Sequence, residues 1–390
     1  AENGAPRLSA VSEAGKYDRE TPAPSNVDYY DVTQVINIPG TRTSIGLHGF
    51  VESQMFYDTV GINNNRFDTA TIPVDGGPAQ TKFSVNPTQL AFSSTTPVGC
   101  YRINTMISMD FNGQLDQPEP RLRVAYGEIV GRNVGFLGGQ AYSTMMDLAT
   151  VPETLDFAGP AGLWQLRQPV FRLTALVGRK LLVEAALETP ENAVYNPGGT
   201  TKLTRLPDVA VAGTWRCGGR YLKHCRLAAL ARDLRARGAG GAIDSAVGWA
   251  VGGSTKVDLP FLHPRDNIKL NVHYGDGFGT YLKGGPGEGV FDDATGTLNP
   301  IGALAFYCGL QHFWCERLRS NVTYGHVQAY NPSLVPGDAF NSTNYFAVNL
   351  IWQPFESVTT GFEWLWGRRD NEDGNAGTSQ RFLLSIKYGF

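Results

Sequence analysis

The sequence of 390 residues has no long apolar run, no strong charge of one sign and few charged residues. No stretch of 18 or more consecutive apolar residues occurs, which excludes a membrane protein built from helices. The formal net charge of -3 gives no electrostatic basis for binding nucleic acid. Charged residues make up only 18% of the chain, whereas 46 glycines and 11% aromatic residues are typical of many strands joined by turns.

Motifs for catalysis, cofactor binding and metal binding are also missing. The six histidines match no HExxH spacing, no GxSxG motif follows a buried strand, and the glycines at 275–279 precede a long loop with no helix to hold a phosphate. Asp292 and Asp293 are more typical of solvated loop charge than of a general acid and base. The sequence therefore predicts no enzyme activity, no cofactor and no metal site, with an outer-membrane barrel enzyme as the rarer alternative.

What the chain does contain is an alternation of apolar and polar residues at its C-terminal end. Because strand side chains alternate between two faces, these residues predict one apolar face and one mixed face. The apolar face comprises Phe382, Leu384, Ile386, Tyr388 and Phe390, and the other carries Arg381, Ser385 and Lys387 with Leu383 and Gly389. A final strand of this kind is typical of bacterial outer-membrane barrels, and an ordinary C-terminal strand is the alternative.

The same alternation recurs along the chain and predicts about sixteen strands, an even number as in single-chain bacterial barrels. The predicted strands span 43–58, 81–96, 100–112, 120–130, 134–141, 165–178, 180–190, 207–217, 225–236, 242–255, 265–277, 299–309, 313–328, 342–354, 357–369 and 378–390. Short turns, such as 97–99, 131–133, 309–312 and 355–356, alternate with long connections at 59–80, 142–164, 191–206, 278–298 and 329–341. This pattern predicts an all-β fold: a transmembrane up-and-down antiparallel barrel with short periplasmic turns.

The chain divides into an arm and a barrel. Residues 1–40 are rich in Pro, Ser, Glu and Asn, so we predict an extended or disordered periplasmic arm there. The barrel is predicted to span residues 41–390. One segment stays ambiguous, because Leu227, Leu230 and Leu234 have helical spacing and leave both a helix and a strand open.

A set of basic residues falls on the predicted inward faces of the strands. These residues are Arg102, Arg121, Arg123, Arg172, Arg232, Lys269 and Arg319. A charged side chain is costly on the lipid face near the middle of the membrane, so we predict that this set lines the lumen. The alternative is that these side chains only pair with carboxylates such as Glu184 and Glu363 and fill the barrel.

All five cysteines fall near predicted periplasmic turns. Cys217 and Cys225 flank one such turn, and Cys308 and Cys315 flank another, so each pair could approach disulfide distance across a hairpin. The periplasm is oxidising enough to close both disulfides. Zinc binding is the rival interpretation, although the sequence has no CxxC motif, and Cys100 has no evident partner.

Several stretches resemble the DcaP-like porins. The most specific similarity lies in three successive segments, Gly139 to Asp147, Val151 to Pro160 and Leu166 to Pro169. Further similar stretches are Asn37 to Thr41 leading into Gly49 to Val51, Arg66 to Val74, Leu227 to Leu234, and Gln311 to Trp314 followed by Leu318 to Ser320. The resemblance covers residues 35–390. It implies a sixteen-stranded trimeric diffusion channel that prefers small negatively charged solutes, and it implies a strand at 227–234.

The resemblance also makes the segment 141–164 a constriction loop that folds into the barrel. Its acidic residues Asp147, Glu153 and Asp156 would then face the basic wall and create a transverse electric field. Such a field selects small solutes by charge without a covalent step. We therefore expect a porin of the bacterial outer membrane that favours anions such as dicarboxylates, surrounded by lipid, homotrimeric and with no nucleic-acid partner. The alternative is an occluded structural or adhesive barrel without significant conductance.

Overall fold

The computed structural model describes residues 35–62, 64–114, 117–190, 193–196, 198–217 and 221–390. Of the arm predicted at residues 1–40, residues 1–34 lie outside the described residues. Helical structure in the described part of the chain is limited to three single turns. None of these is long and apolar enough to cross a membrane.

Sixteen long strands form one antiparallel sheet within the described residues. In chain order they are β1 (Ser44–Asp58), β2 (two segments, Gln80–Ser84 and Gln89–Val98), β3 (Tyr101–Asp110), β4 (Arg121–Val130), β5 (Val134–Tyr142), β6 (Arg167–Val177), β7 (Leu181–Glu188), β8 (Asp208–Arg216), β9 (Leu222–Arg237), β10 (Ile243–Asp258), β11 (Asn267–Asp276), β12 (Gly302–Cys315), β13 (Leu318–Tyr330), β14 (Phe340–Phe355), β15 (Val358–Asn371) and β16 (Ala376–Gly389). Neighbours in sequence pair with each other, and β1 also pairs with β16, with Asp58 opposite Arg381. The sheet is therefore a closed up-and-down barrel, which confirms the predicted all-β fold.

The connections are short at one end of the barrel and mostly long at the other. The turns at 99–100, 131–133, 316–317 and 356–357 are short, whereas 59–79, 143–166, 189–207 and 277–301 are long. In barrels of this kind the short turns face the periplasm and the long loops face outward. A closed barrel with this arrangement leaves no free strand edge in the membrane.

The predicted turn at 309–312 is wrong. Strand β12 continues to Cys315, and the turn comes at Glu316 and Arg317. Gly309 serves another purpose, because a Cβ atom there would lie 2.9 Å from the side chain of Pro152, which belongs to the loop inside the barrel. The glycine therefore allows a close approach of that loop rather than a turn.

Side chains alternate between the lumen and the outer surface along the strands. On β16, Phe382 and Leu384 are exposed, whereas Arg381 and Leu383 are buried. On β9, Leu227 is 73% exposed while Arg226 beside it is buried, so the ambiguous segment is a strand and the helical alternative is wrong. The outer surface is thus apolar, as contact with lipid requires.

Short strands outside the sixteen extend the barrel at both ends. Val35–Asn37 pairs with the beginning of β1, and Thr201–Lys202 pairs with the end of β9. Val194–Tyr195, Gly289–Asp292 and Thr297–Pro300 form a separate three-stranded sheet from two of the long loops. These pairings fix the long loops to one another at the outer end.

Candidate functional site

The connection between β5 and β6, residues 143–166, is the constriction loop. Both of its ends are held close together, since Ser143 N donates to Leu166 O at 3.0 Å. Thr144 N donates to a Glu188 carboxylate oxygen at 2.6 Å, and Arg172 Nε donates to Thr144 Oγ1 at 2.8 Å. Hydrogen bonds from the barrel wall therefore hold the loop where the chain turns into the lumen.

Asp147 is the first anchor of the constriction loop on the far wall. Its Oδ2 atom lies 2.8 Å from His224 Nε2 on β9 and accepts a hydrogen bond of 2.6 Å from Ser254 Oγ on β10. Burial alone would raise the pKa of Asp147, but the hydrogen bond and charge of His224 and the charge of Arg226 bring it below its ordinary value. The carboxylate therefore stays charged and bound at neutral pH.

Glu153 is the second anchor. Arg319 on β13 donates Nε to one carboxylate oxygen at 2.7 Å and Nη2 to the other at 2.5 Å, and Gln311 Nε2 on β12 adds a bond of 2.7 Å. Burial would raise the pKa of Glu153, but the Arg319 pair lowers it below its ordinary value. Lys269 Nζ donates to the carbonyl of Val151 at 2.7 Å, so two cations hold this part of the loop.

The third anchor uses loop backbone. The Glu363 carboxylate on β15 accepts from Leu155 N at 2.9 Å and from Asp156 N at 2.7 Å. Gln54 Nε2 on β1 donates to Leu155 O at 2.9 Å. The loop thus leaves β5, touches β9 to β15 across the lumen, and returns to β6. The resemblance to DcaP-like porins implied a constriction loop at residues 141–164.

Lys283 links the constriction loop to two other external loops. It belongs to the loop 277–301, and its Nζ atom donates to Asp156 Oδ2 at 3.2 Å, to Gly159 O, and to Phe67 O at 2.9 Å. The backbones of the two loops also pair, since Lys283 N donates to Leu163 O at 2.8 Å. Three loops therefore meet at one ammonium group inside the barrel.

The constriction loop leaves an opening on the side of β1, β2, β4 and β16. This cavity of about 320 Å³ is lined by Phe50, Glu52, Gln89, Arg123, Tyr142, Met146, Leu148, Val151 to Gly159, Leu163, Gln165, Arg167 and Lys387. Arg123 donates to Tyr142 Oη at 2.8 Å and to Asp110 Oδ2 at 3.0 Å. Arg167 lies over the Tyr142 ring at 5.5 Å, and Lys387 Nζ is 3.2 Å from Glu52. Three basic side chains therefore stand around one opening.

The seven basic residues predicted from the sequence point into the barrel, but only Arg123 among them lines this opening in the described residues. Arg121 pairs with Asp110 at 2.7 Å, and Arg102 interacts electrostatically with Glu128. Arg172, Lys269 and Arg319 hold the constriction loop. Arg232 is fully buried between Asp208, at 2.8 Å, and Glu288 of the loop 277–301. Six of the seven therefore act as anchors or paired wall charges, which was the alternative left open above.

Residues missed in the sequence fall into two groups. Arg226 has the parity of the buried residues on β9, and Lys387 lies on the mixed face of β16, so strand periodicity could have added both to the inward set. Arg167 has the parity of the outward Phe171 and Leu173 on β6, so periodicity could not have identified it. Lys283 lies in a long loop without a period, and no sequence signal marks it. Among the described residues, no group of three or more His, Cys, Asp or Glu side chains could hold a metal ion.

The predicted disulfide between Cys308 and Cys315 is wrong. Both residues lie on β12, seven positions apart, so their Cα atoms are separated by about 20 Å at the rise of a strand. A disulfide needs Cα atoms within about 7 Å. Cys217 directly follows β8 and Cys225 lies on β9, with Trp215 opposite Cys225; both are free thiols, and their disulfide stays a prediction.

No protein-family model matches the sequence, and no curated protein matches it. Among solved structures, the chain is similar to the outer membrane channel DcaP of Acinetobacter baumannii, with a TM-score of 0.81 and 22% identity over 91% of this chain and 99% of that one. The fold is that of an outer-membrane porin. An anion-selective porin from Comamonas acidovorans has a TM-score of 0.62 at 8% identity over 89% and 100% of the two chains. The trimer form of OmpT of Vibrio cholerae has a TM-score of 0.55 at 9% identity over 89% and 99%.

These likenesses agree with the resemblance to DcaP-like porins found in the sequence. They also agree with the apolar outer surface, which is the surface that a place in the bacterial outer membrane requires.

Proposed function

We propose that the chain is a diffusion porin for small hydrophilic solutes and that it favours anions such as dicarboxylates. The observation that carries this proposal is the constriction loop, which crosses the lumen and leaves one opening with Arg123, Arg167 and Lys387 on its rim. A solute that passes the barrel by this route moves within reach of three positive charges. No covalent step is needed, because the charges act only on the passage of the solute.

The acidic residues of the constriction loop would, if uncompensated, favour the passage of cations. Each of them, however, is bound by a basic side chain: Asp147 by His224, Glu153 by Arg319, and Asp156 by Lys283. Glu153 and Asp156 belong to the lining of the cavity, but their charges are compensated there by Arg319 and Lys283, and Asp147 is not part of the lining. On the rim, Asp110 compensates part of Arg123 and Glu52 part of Lys387, so the preference for anions is moderate.

Arginine suits this role for chemical reasons. A guanidinium group stays charged at every physiological pH and offers several donors to a carboxylate. Arg123 and Arg167 share Tyr142 between them, which keeps both groups on the same side of the opening. A dicarboxylate could therefore exchange one weak partner for the next while it passes.

The test is the reversal potential of purified protein in planar bilayers under a salt gradient. We expect the unmodified channel to favour anions, and we expect Arg167→Gln and Lys387→Gln to shift the reversal potential towards cations. The preference should shrink as salt rises, because charges are screened over about 10 Å at 0.1 M. Arg368→Gln is the matched control, since Arg368 is an exposed residue of β15 that pairs with Asp370. An unchanged reversal potential in both rim variants would mean that these side chains do not line the path.

One observation favours the occluded barrel as a second candidate. Three loops meet at Lys283 inside the lumen, and Trp164 of the constriction loop packs against Phe278 and Tyr281 of the loop 277–301. Single-channel recordings separate the two candidates. Discrete conductance steps support the porin, and their absence from correctly folded protein supports the occluded barrel.

A further inference from the structure

Three basic residues lie side by side in two neighbouring short turns at the periplasmic end of the barrel. Arg132 belongs to the turn between β4 and β5, and Arg179 and Lys180 belong to the turn between β6 and β7. All three are exposed. The pairing of β5 with β6 brings the two turns together, since Leu176 N donates to Asn133 O at 2.8 Å. We call Arg132, Arg179 and Lys180 the periplasmic basic patch.

The positive charge of the periplasmic basic patch is not compensated by nearby acids. Neither of the two turns contains an acidic residue. The nearest acidic residue along β4 is Glu128, which has the opposite parity to the exposed Ile129 and accepts a hydrogen bond of 3.3 Å from Asn104 in the lumen. Within the described residues, no carboxylate forms an ion pair with any of the three side chains of the patch.

Other exposed cations at the periplasmic end are paired with acids. Lys223 Nζ on β9 is 3.4 Å from Asp258. Arg265 Nη2, in the turn between β10 and β11, is 2.8 Å from Glu316. The periplasmic basic patch therefore differs from these turns, because it carries three positive charges close together.

Aromatic residues show the depth at which the patch lies. Tyr101, at the beginning of β3, is exposed, and a Cβ atom at Gly131 would lie 3.1 Å from its ring. Trp215 on β8 is also exposed and is directly opposite Leu181. Exposed aromatic residues at strand ends mark the boundary between hydrocarbon and headgroups. The patch follows Gly131 and precedes Leu181, so it lies at the level of the headgroups of the inner leaflet.

The outer wall between the periplasmic basic patch and the middle of the membrane is apolar. Val134 and Val177, next to the two turns, are exposed, and so is Ile129 on β4. Further along β5 and β6, the rings of Phe136 and Phe171 stack with 6.2 Å between their centroids. A phospholipid whose phosphate reaches the patch can therefore lay its acyl chains along this wall.

We propose that the periplasmic basic patch binds the phosphate of an anionic phospholipid of the inner leaflet, of the phosphatidylglycerol type. Guanidinium groups bind phosphate oxygens through paired hydrogen bonds, and basic clusters at headgroup level attract anionic lipids. A zwitterionic headgroup also carries an ammonium group, which three neighbouring cations repel. The patch therefore selects lipids whose headgroup has only the negative charge. The proposal depends on the place of the barrel in the outer membrane and not on its conductance.

The experiment is a titration of the purified full chain in detergent with phosphatidylglycerol, followed by native mass spectrometry. The double variant Arg132→Gln/Arg179→Gln should bind this lipid about 30-fold more weakly, at about fivefold for each basic side chain near an anionic lipid surface. The unmodified protein should bind phosphatidylethanolamine with the same acyl chains more weakly than phosphatidylglycerol. Arg265→Gln is the matched control, because Arg265 is an exposed cation of a periplasmic turn that is already paired with Glu316, and it should bind like the unmodified protein.

The shift of the folded barrel on a gel without heating confirms that each variant is folded before it is titrated. Equal affinity of the double variant and the unmodified protein for phosphatidylglycerol would overturn the proposal, and so would an equal loss in Arg265→Gln. Soluble glycerol phosphate should leave the bound lipid in place, since it has no acyl chains. Displacement by glycerol phosphate would assign the patch to soluble phosphates and would also overturn the proposal. Single-channel recordings of the same variants are independent of this result, so a failure of the porin proposal would be recognised separately.

Discussion

Lys283 is a buried cation whose partners come from three loops. Its side chain and that of Asp156 are almost completely buried, and its other acceptors are the carbonyls of Phe67 and Gly159. Removing one partner of a buried ion pair typically costs about 3–5 kcal/mol, because the remaining charge is left without compensation. A single residue therefore couples the positions of all three loops.

Cys217 and Cys225 are the residues for which we predict a disulfide. Cys217 N donates to Lys223 O at 2.9 Å at the end of the β8–β9 pair, so the two cysteines are diagonal neighbours across the strands. Desolvation and the neighbouring Cys225 thiol raise the pKa of Cys217, so the reactive thiolate forms less readily there. Closing the disulfide also requires an oxidant that takes up two electrons, which an oxidising compartment supplies. We expect oxidation to link them and to add about 2 kcal/mol to the free energy of unfolding by restricting the unfolded chain.

Peptide mapping without reductant measures this linkage directly. The Cys217 and Cys225 peptides should appear as one linked species, and the Cys308 and Cys315 peptides serve as an internal control that stays unlinked to each other. Free thiols at both Cys217 and Cys225 in protein isolated from an oxidising compartment would contradict the prediction.

At the scale of elements, the constriction loop depends on carboxylates whose pKa is lowered. The pair between Glu153 and Arg319 stabilises the docked loop fully above the ordinary carboxyl pKa of 4.5, and the stabilisation is lost as the pH falls through the lower pKa of the folded state. We therefore expect steady single-channel current between about pH 8 and pH 5 and rising closures below about pH 4. Recordings at stepped pH on one bilayer measure this.

Glu153→Gln provides the matched control for the pH prediction. This variant keeps the size of the side chain but loses its charge, so the current through its channels should already fluctuate at neutral pH. A Glu153→Gln channel with steady current at neutral pH, and with the same closures at low pH as the unmodified protein, would show that this ion pair does not hold the loop.

The strands were the predictable elements, because the alternation of apolar and polar residues is a local property. Thirteen of the sixteen predicted strands match one observed strand within three residues at each end, and the predicted strand at 81–96 corresponds to the two segments of β2. The strands predicted at 299–309 and 313–328 correspond to β12 and β13, but the turn between them lies five or six residues further along the chain. The error at Gly309 has a nonlocal cause, since Pro152 approaches that glycine from the loop inside the barrel. Helical spacing at 227–234 was misleading because small and apolar residues fill both faces of β9 there.

The partners within the site were not predictable in the same way. Asp147 binds His224 and Ser254, which are far from it in sequence and lie on two different strands. Inward orientation follows from strand periodicity, but which cation meets which carboxylate depends on the path of the loop through the lumen. Strand periodicity therefore predicts which basic residues turn inward, but it cannot separate those that line the opening from those that bind the constriction loop.

At the scale of the whole molecule, the barrel has two ends with different structure. The periplasmic end has short turns, and the outer end carries the loops that enter the lumen or pair with one another. The wall also differs around the ring. On β9, Asp233, Arg235 and Arg237 have the outward parity, whereas the outward residues of β1 and β16 at the seam are mostly apolar, with Ser53, Thr378 and Gln380 as the polar ones. Outward residues there include Ile45, Leu47, Leu384 and Ile386.

We predict that the seam is the contact surface of a homotrimer. Burial of apolar side chains such as Leu47 and Leu384, both exposed in the single chain, would favour association, and a similar structure, OmpT of Vibrio cholerae, is described in a trimer form. Light scattering in mild detergent should give a protein mass of three times the 42.4 kDa chain. The double variant Leu47→Trp/Leu384→Trp should give single chains, because two bulky rings prevent close packing at the seam. Leu227→Trp, at an exposed position on the opposite wall, should stay trimeric. A single-chain mass for the unmodified protein would rule out the trimer.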